Sequence, residues 1–236
     1  MNEPYSLYAS PDSASFVIRM LLNELGLPFE TIWVDRSSQE HKQADYLALN
    51  PQGLIPVLVD DGQAIFETAA IALYLCEKHS ALMPQSSQGR AGFYQWLFYL
   101  SNTLHADLRV RFYGKNYING EKEQAALLVG MKSRITGHLE LIETELVNNA
   151  YEPWFLGESL SALDIYLAAL CRWWQLYPVT DQVPVISQQT LPRIHHILVE
   201  LAKRPAIQAA CAEENILTPF FIDPKMPDLP ADKIIG

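Results

Sequence analysis

Cysteine is scarce. Cys76, Cys171 and Cys211 are the three in 236 residues, and none forms a Cys-x-x-Cys pair with another. That excludes a self-contained dithiol redox mechanism, and three thiols dispersed in helical-looking segments fit small, reduced apolar side chains better than a disulfide or zinc framework. Positive charge is also short: 17 Lys and Arg stand against 27 Asp and Glu, a formal charge of -10. An acidic chain of this kind lacks the basic stripe that nucleic acid needs and is repelled by anionic membrane surfaces. No apolar run approaches the roughly 18 residues of a membrane span, and Met1 to Ser15 has neither a basic nor an apolar leader region. Cytoplasm is the expected compartment, with small molecules and other proteins as the expected partners. His195 and His196 are adjacent and so point about 100° apart on a helix. They cannot share one metal, the other histidines show no ligand spacing, and no metal site is expected.

The length suits one large domain or two of ordinary size, and 49% hydrophobic with 19% charged residues suits a soluble globular protein. Up to about Lys78 strands and helices alternate. Tyr5 to Tyr8 reads as a strand, Ser13 to Leu25 as a helix ended by Gly26, and Phe29 to Val34 as a second strand. His41 to Leu49 reads as a short helix, followed by strands at Val57 to Val59 and Ala64 to Phe66 and a helix from Glu67 to Lys78. Periodicity is lost between His79 and Gly89, which marks a linker. Beyond it the pattern is helical: Arg90 to Phe112, Glu121 to Asn148, Ala162 to Tyr177, Pro192 to Lys203 and Pro205 to Glu214, with Pro192 and Pro205 at first-turn positions. Ser161 and Asp164 have capping-box spacing and read as a folding element. The expected division is 1–79, a linker at 80–88, an all-helical domain at 89–217, and a tail at 218–236. That tail carries four prolines and is expected to coat the surface or be partly disordered.

The most informative stretch is Asn50-Pro51-Gln52-Gly53-Leu54-Ile55-Pro56-Val57-Leu58-Val59, with Glu67-Thr68 eight residues on. A turn enters a short apolar strand through a proline, an Asp61-Gly62 hairpin returns it, and a polar pair opens the next helix. Pro56 cannot donate to a ladder and so suits a strand entry; a cis bond there would turn the Ile55 amide and carbonyl outward, where an extended peptide could pair with them. Glu67 and Thr68 would sit at a helix N-terminus, which attracts a carboxylate.

This spacing strongly resembles the glutathione-binding half of the glutathione S-transferase family. The resemblance, with the element order β-α-β-α-β-β-α, implies an α/β thioredoxin-like N-terminal domain followed by an all-α C-terminal domain. It implies glutathione as co-substrate, held by Leu54, Ile55, Pro56, Glu67 and Thr68, and a homodimer. Gln95 to Leu100, Leu104-His105 and Cys171 to Trp174 look like helices that line the electrophile pocket in bacterial beta-class members. His105, Arg109, Phe112 and Trp173 are accordingly expected to line that pocket, with core packing or a solvated helix face as the plain alternative. Two positions depart from the family. Ala14 stands where beta-class enzymes have cysteine, leaving a first turn, Ser10-Pro11-Asp12-Ser13-Ala14-Ser15, closer to serine-type classes. Leu54 stands where many relatives carry a basic residue that meets a glutathione carboxylate.

The implied reaction is attack of the glutathione sulfur on an electrophilic carbon. A free thiol with a pKa of about 8.5 is only slightly ionised at neutral pH, and lowering it by about 2 units takes roughly 2.7 kcal/mol. A serine hydroxyl bonded to the thiolate supplies about 1.5–3 kcal/mol and a helix N-terminus about 0.3–1. Ser13 fits that task best, Ser15 is second and Ser10 third; Tyr8, a tyrosine in a strand, reads first as packing. The plain alternative for Ser13 or Ser15 is a helix N-cap. Conjugation to small hydrophobic electrophiles leads. Isomerisation or peroxide reduction stays open within the same chemistry, the isomerase ranking lower because the zeta-class Ser-Ser-Cys turn is absent. A non-catalytic glutathione- or ligand-binding regulatory protein of the same fold is the contrasting reading.

Overall fold

The computed structural model describes residues 4–149, 152–178, 181 and 183–227. Contacts divide the chain into two compact units. Residues 4–83, 203–217 and 226–227 form the first, and residues 84–202 and 218–225 the second.

In the first unit the expected alternation of strand and helix is present. The strands are β1 (Tyr5–Ala9), β2 (Phe29–Trp33), β3 (Val57–Asp60) and β4 (Gln63–Phe66). The helices are α1 (Ser15–Glu24), α2 (Ala44–Leu49) and α3 (Thr68–His79), with a 3₁₀ turn at Glu40–Lys42. The strands form one mixed sheet in the order β2-β1-β3-β4, with β1 parallel to β2 and antiparallel to β3, and β3 antiparallel to β4. This is the thioredoxin-like arrangement. Alternation sets its faces, since Tyr5, Leu7 and Ala9 of β1 are buried while Ser6 and Tyr8 are only partly so. Phe16, Val17, Ile18, Met20, Leu21 and Leu22 of α1 are all fully buried.

Helix α1 begins two residues later than its sequence pattern suggests. Ser13 and Ala14 belong to the turn that precedes it, and Ala14 is the helix boundary residue.

The second unit is helical: α4 (Ser87–Tyr99), α5 (Ala106–Phe112), α6 (Glu121–Asn148), α7 (Ala162–Leu176) and α8 (Pro192–Ala202). The single helix read over Arg90 to Phe112 is instead α4 and α5 joined by a π-helical turn at Leu100–His105. The apolar pattern stays readable across this wider turn, because Leu100 and Leu104 within it, four residues apart, are both buried. Helix α7 is buried at every position except Gln175, as expected for a helix apolar nearly all round.

Its start is fixed by Asp164. That carboxylate accepts the Ser161 N–H at 2.8 Å, the Ser161 hydroxyl at 2.8 Å and the Phe155 N–H at 2.6 Å.

Two further placements differ from the sequence reading. Helix α9 (Pro205–Glu213) packs with α1 in the first unit, because Arg19 of α1 is paired with Glu213 and with Glu214 just beyond α9. Residues 218–225 are ordered against α7: Phe221 is buried, Arg172 donates to the carbonyls of Phe220 (2.8 Å) and Lys225 (2.9 Å), and Gln175 donates to that of Phe221 (2.8 Å). Residues 228–236 of the tail lie outside the described residues. Cys76, Cys171 and Cys211 are buried and form no disulfide, and burial pushes the Cys76 thiol up to about 12, so that it stays protonated. No helix among the described residues is long and apolar enough to cross a membrane.

Asp164→Ala removes the acceptor of three buried donors and is expected to lower the unfolding free energy by about 3 kcal/mol in a urea titration, without changing the denaturant dependence.

Candidate functional site

Strand register gathers the candidate residues of the first unit. Val57, the first residue of β3, lies opposite Tyr8 near the end of β1 and opposite Phe66 at the end of β4. The turn after β1, the Ile55-Pro56 entry to β3 and the Glu67-Thr68 step after β4 therefore leave the sheet at one end. The loop after β2 leaves at that end too, since Ala9 pairs with Trp33.

At the entry to β3 the Ile55-Pro56 peptide bond is cis. The preceding carbonyl, that of Leu54, is doubly held by the Tyr46 hydroxyl at 2.8 Å and Asn50 Nδ2 at 2.7 Å. No hydrogen bond to the Ile55 N–H or C=O is seen among the described residues, so both remain open to an extended partner. Gly53 has φ +60°, and a Cβ there would lie 2.6 Å from the His41 carbonyl oxygen, which explains glycine at this position.

Beyond β4, Glu67 adopts φ +73° at the start of α3, a conformation that costs a non-glycine residue about 1–3 kcal/mol and clusters at ligand sites. Its carboxylate accepts from Gln52 Nε2 at 3.1 Å, its carbonyl accepts the Ile71 N–H at 2.9 Å, and Thr68 behind it is buried. The first amides of α3 have no intrahelical acceptor, as at any helix start.

In the turn after β1 the Ser10 carbonyl accepts from both the Ser13 hydroxyl (2.7 Å) and the Ser15 hydroxyl (3.0 Å), while the Ser10 N–H donates to Ser15 Oγ at 3.2 Å. The two hydroxyl oxygens are 2.9 Å apart. Ser15 is fully buried and its hydroxyl is used on both sides, whereas Ser13 is half-buried. Neither caps α1. Ser10 is buried, and Tyr8 packs edge-on against Tyr46 at 5.9 Å.

The comparisons with known proteins bear on the family and the fold. Residues 13–78 match the family description "Glutathione S-transferase, N-terminal domain". "Glutathione S-transferase 3" of Zea mays is 33% identical over 156 residues, 63% of this chain and 69% of the maize protein. "Glutathione S-transferase GstA" of Escherichia coli O157:H7 is 27% identical over 89% of this chain and 98% of its own. The solved structure of a glutathione transferase homolog from Sulfitobacter, with bound glutathione, superposes with a TM-score of 0.76 at 22% identity, covering 89% of this chain and 98% of that one.

The chain belongs to the glutathione S-transferase family.

Within that family frame, the helical unit brings together some of the residues expected to line an electrophile pocket. His105, the last residue of the π turn, lies with Nδ1 2.8 Å from the Tyr166 hydroxyl and its ring 5.5 Å from that of Trp173. Burial, and then the nearby Arg109, push the imidazole down to about 4, so it is neutral at physiological pH. Arg109 is exposed and lies over the Tyr113 ring at 5.5 Å. Phe112 instead packs edge-on against Tyr177 at 5.3 Å. Trp173 is buried.

The sequence reading passed over His41 and Lys42. Lys42 Nζ donates to the carbonyls of Gln52 (3.1 Å) and Gly53 (3.0 Å), which puts a cation beside Leu54. His41 Nδ1 is buried without a partner, and burial lowers the pKa of this imidazole. The local signal for them is the His41-Lys42 pair ahead of α2, which in sequence reads as a helix start.

Free in the unfolded chain, the His105 imidazole ionises near 6.5; folded, at about 4. Its contribution to stability is therefore present above pH 6.5 and lost as the pH falls through 4. Asp164, raised to about 6 by burial, has the opposite sign, its contribution being lost as the pH rises through 6. Comparing His105→Asn with the unaltered protein cancels that second effect. The variant should lose stability less steeply between pH 6.5 and 4 in urea titrations run across that range.

Proposed function

We propose that the protein is a glutathione transferase that conjugates reduced glutathione to small hydrophobic electrophiles through a serine-stabilised thiolate. The observation that carries this reading is the register Tyr8–Val57–Phe66, which makes the serine turn, the Ile55 backbone and the Glu67-Thr68 helix start neighbours at one sheet end.

In this reading the Ile55 N–H and C=O pair with the main chain of the tripeptide. Glu67 and the open amides of α3 hold its γ-glutamyl end, the amides taking the carboxylate. Pro56 shapes the entry. Lys42 supplies the positive charge for the far carboxylate that Leu54 does not.

Ser13 is the proposed thiolate partner, because it is less buried than Ser15 and its hydroxyl is not needed as an acceptor by Ser10. To reach the sulfur its O–H must rotate away from the Ser10 carbonyl, which keeps Ser15 as a donor. The start of α1 adds its positive dipole end to the same place. His105, Arg109, Phe112 and Trp173 are proposed to contact the electrophile, with a neutral His105 able to hydrogen-bond without bringing charge. A homodimer working in the cytoplasm completes the proposal.

Retention on immobilised glutathione followed by turnover of a chromogenic aryl halide tests the reading. Binding with turnover supports it. Binding without turnover favours the non-catalytic glutathione-binding protein, and no binding removes both. Ser13→Ala should raise the apparent pKa of the bound thiol and lower the turnover at neutral pH by about 10- to 100-fold, the equivalent of one hydrogen bond to a charged group. An unchanged thiol pKa would transfer the role away from Ser13.

A further inference from the structure

The serine turn is not held by its own neighbours alone. Asp12 has φ +46°, is buried, and donates its N–H to Glu214 Oε2 at 2.7 Å across 202 residues of chain. The other oxygen, Glu214 Oε1, accepts from Arg19 Nε at 2.8 Å. Glu214 and Arg19 are both fully buried, and Arg19 also pairs with Glu213. The guanidinium also lies over the rings of Trp33 (4.8 Å) and Phe29 (5.7 Å).

As a device for stability alone this is poor. Two ions are taken out of water, and Arg19 Nη2 is left with no acceptor. Apolar side chains of similar volume would hold α9 against α1 at least as well. What apolar side chains could not do is accept the N–H of Asp12, the residue immediately before Ser13. A left-handed residue at that point needs outside support to persist.

We propose that Glu214 is a positioning residue for the sulfur site: buried, and oriented by Arg19, it fixes the Asp12 peptide and thereby the place of the Ser13 hydroxyl. The inference rests on the proposed role of Ser13. It makes the segment after α9 part of the glutathione site without touching glutathione.

Six proteins test it: the unaltered chain, Glu214→Gln and Glu214→Ala, and the same three in a Ser13→Ala background. The readouts are the apparent pKa of the bound thiol from its thiolate absorbance, and kcat and KM for glutathione. Gln offers one carbonyl oxygen to two donors and Ala offers none. The thiol pKa should therefore rise, and kcat fall, in the order unaltered, Gln, Ala, with a loss for Ala on the order of 10- to 100-fold, as for a reacting group displaced by about 1 Å. KM for glutathione should move far less. In the Ser13→Ala background neither change at 214 should shift the thiol pKa further.

Wild-type thiol pKa and kcat in both variants would overturn the proposal, as would an equal shift in the absence of Ser13. Failure of the unaltered protein to bind glutathione would instead remove the reading on which it rests. Where a variant at 214 does not fold, the Asp12 amide of the unaltered protein decides by NMR: protection from hydrogen exchange, and a proton shift that follows the ionisation of Glu214, support the proposal, and free exchange overturns it.

Discussion

The alignment of Tyr8, Val57 and Phe66 across three strands is the constraint on which the rest of the site depends. A strand has period two, and Val57 and Leu58 are fully buried on opposite faces, so sliding β3 by one residue would put each against the other's packing partners. The register is thus locked by burial, over a cluster in which Val34, Tyr46 and Val57 are covered by Tyr8, Ile55 and Phe66. Once it is locked, the segments that leave the strands must emerge together. Core packing decides the site's geometry before any ligand is present.

The segments that emerge there share a second property. Each contains a residue with positive φ: Asp12, Gly53 and Glu67. At Gly53 the absence of a side chain meets the requirement; Asp12 and Glu67 are each an unfavourable choice by about 1–3 kcal/mol. The surroundings hold them: the Glu214 carboxylate on the Asp12 amide, and Gln52 and the Ile71 amide on Glu67. Under the proposed function, open polar groups at Ile55 and at the start of α3 stand beside hydrogen-bonded backbone, a combination suited to gripping a small ligand without ordering the loops afterwards.

Much of this was legible in the sequence, for local reasons. The Asn50–Gly53 turn, the proline at the strand entry, the Asp61-Gly62 hairpin and the Ser161–Asp164 box are each written within a few residues, and helix α6 occupies the span its periodicity suggests, Glu121–Asn148. What stayed hidden depends on contacts between distant segments. Nothing near Glu214 announces Asp12, and nothing near Phe221 announces Arg172. Both pairs put chain-end residues against buried arginines, so α9 joined the first unit and residues 218–225 became packed structure. The π turn at Leu100–His105 was invisible because it leaves the apolar pattern intact. Ser13 and Ser15 could be ranked by position but not by burial, and burial is what separates them.

The central claim is that three strand ends form a single cradle for one tripeptide. Hydrogen exchange with and without reduced glutathione, resolved to single amides, tests it most directly. The account predicts that the Ile55 amide and the first amides of α3 gain protection together, along one saturation curve, with the amides of the Asp12–Ser15 turn shifting on the same curve. Protection at one of these segments without the others, or at none with glutathione in large excess, would contradict it.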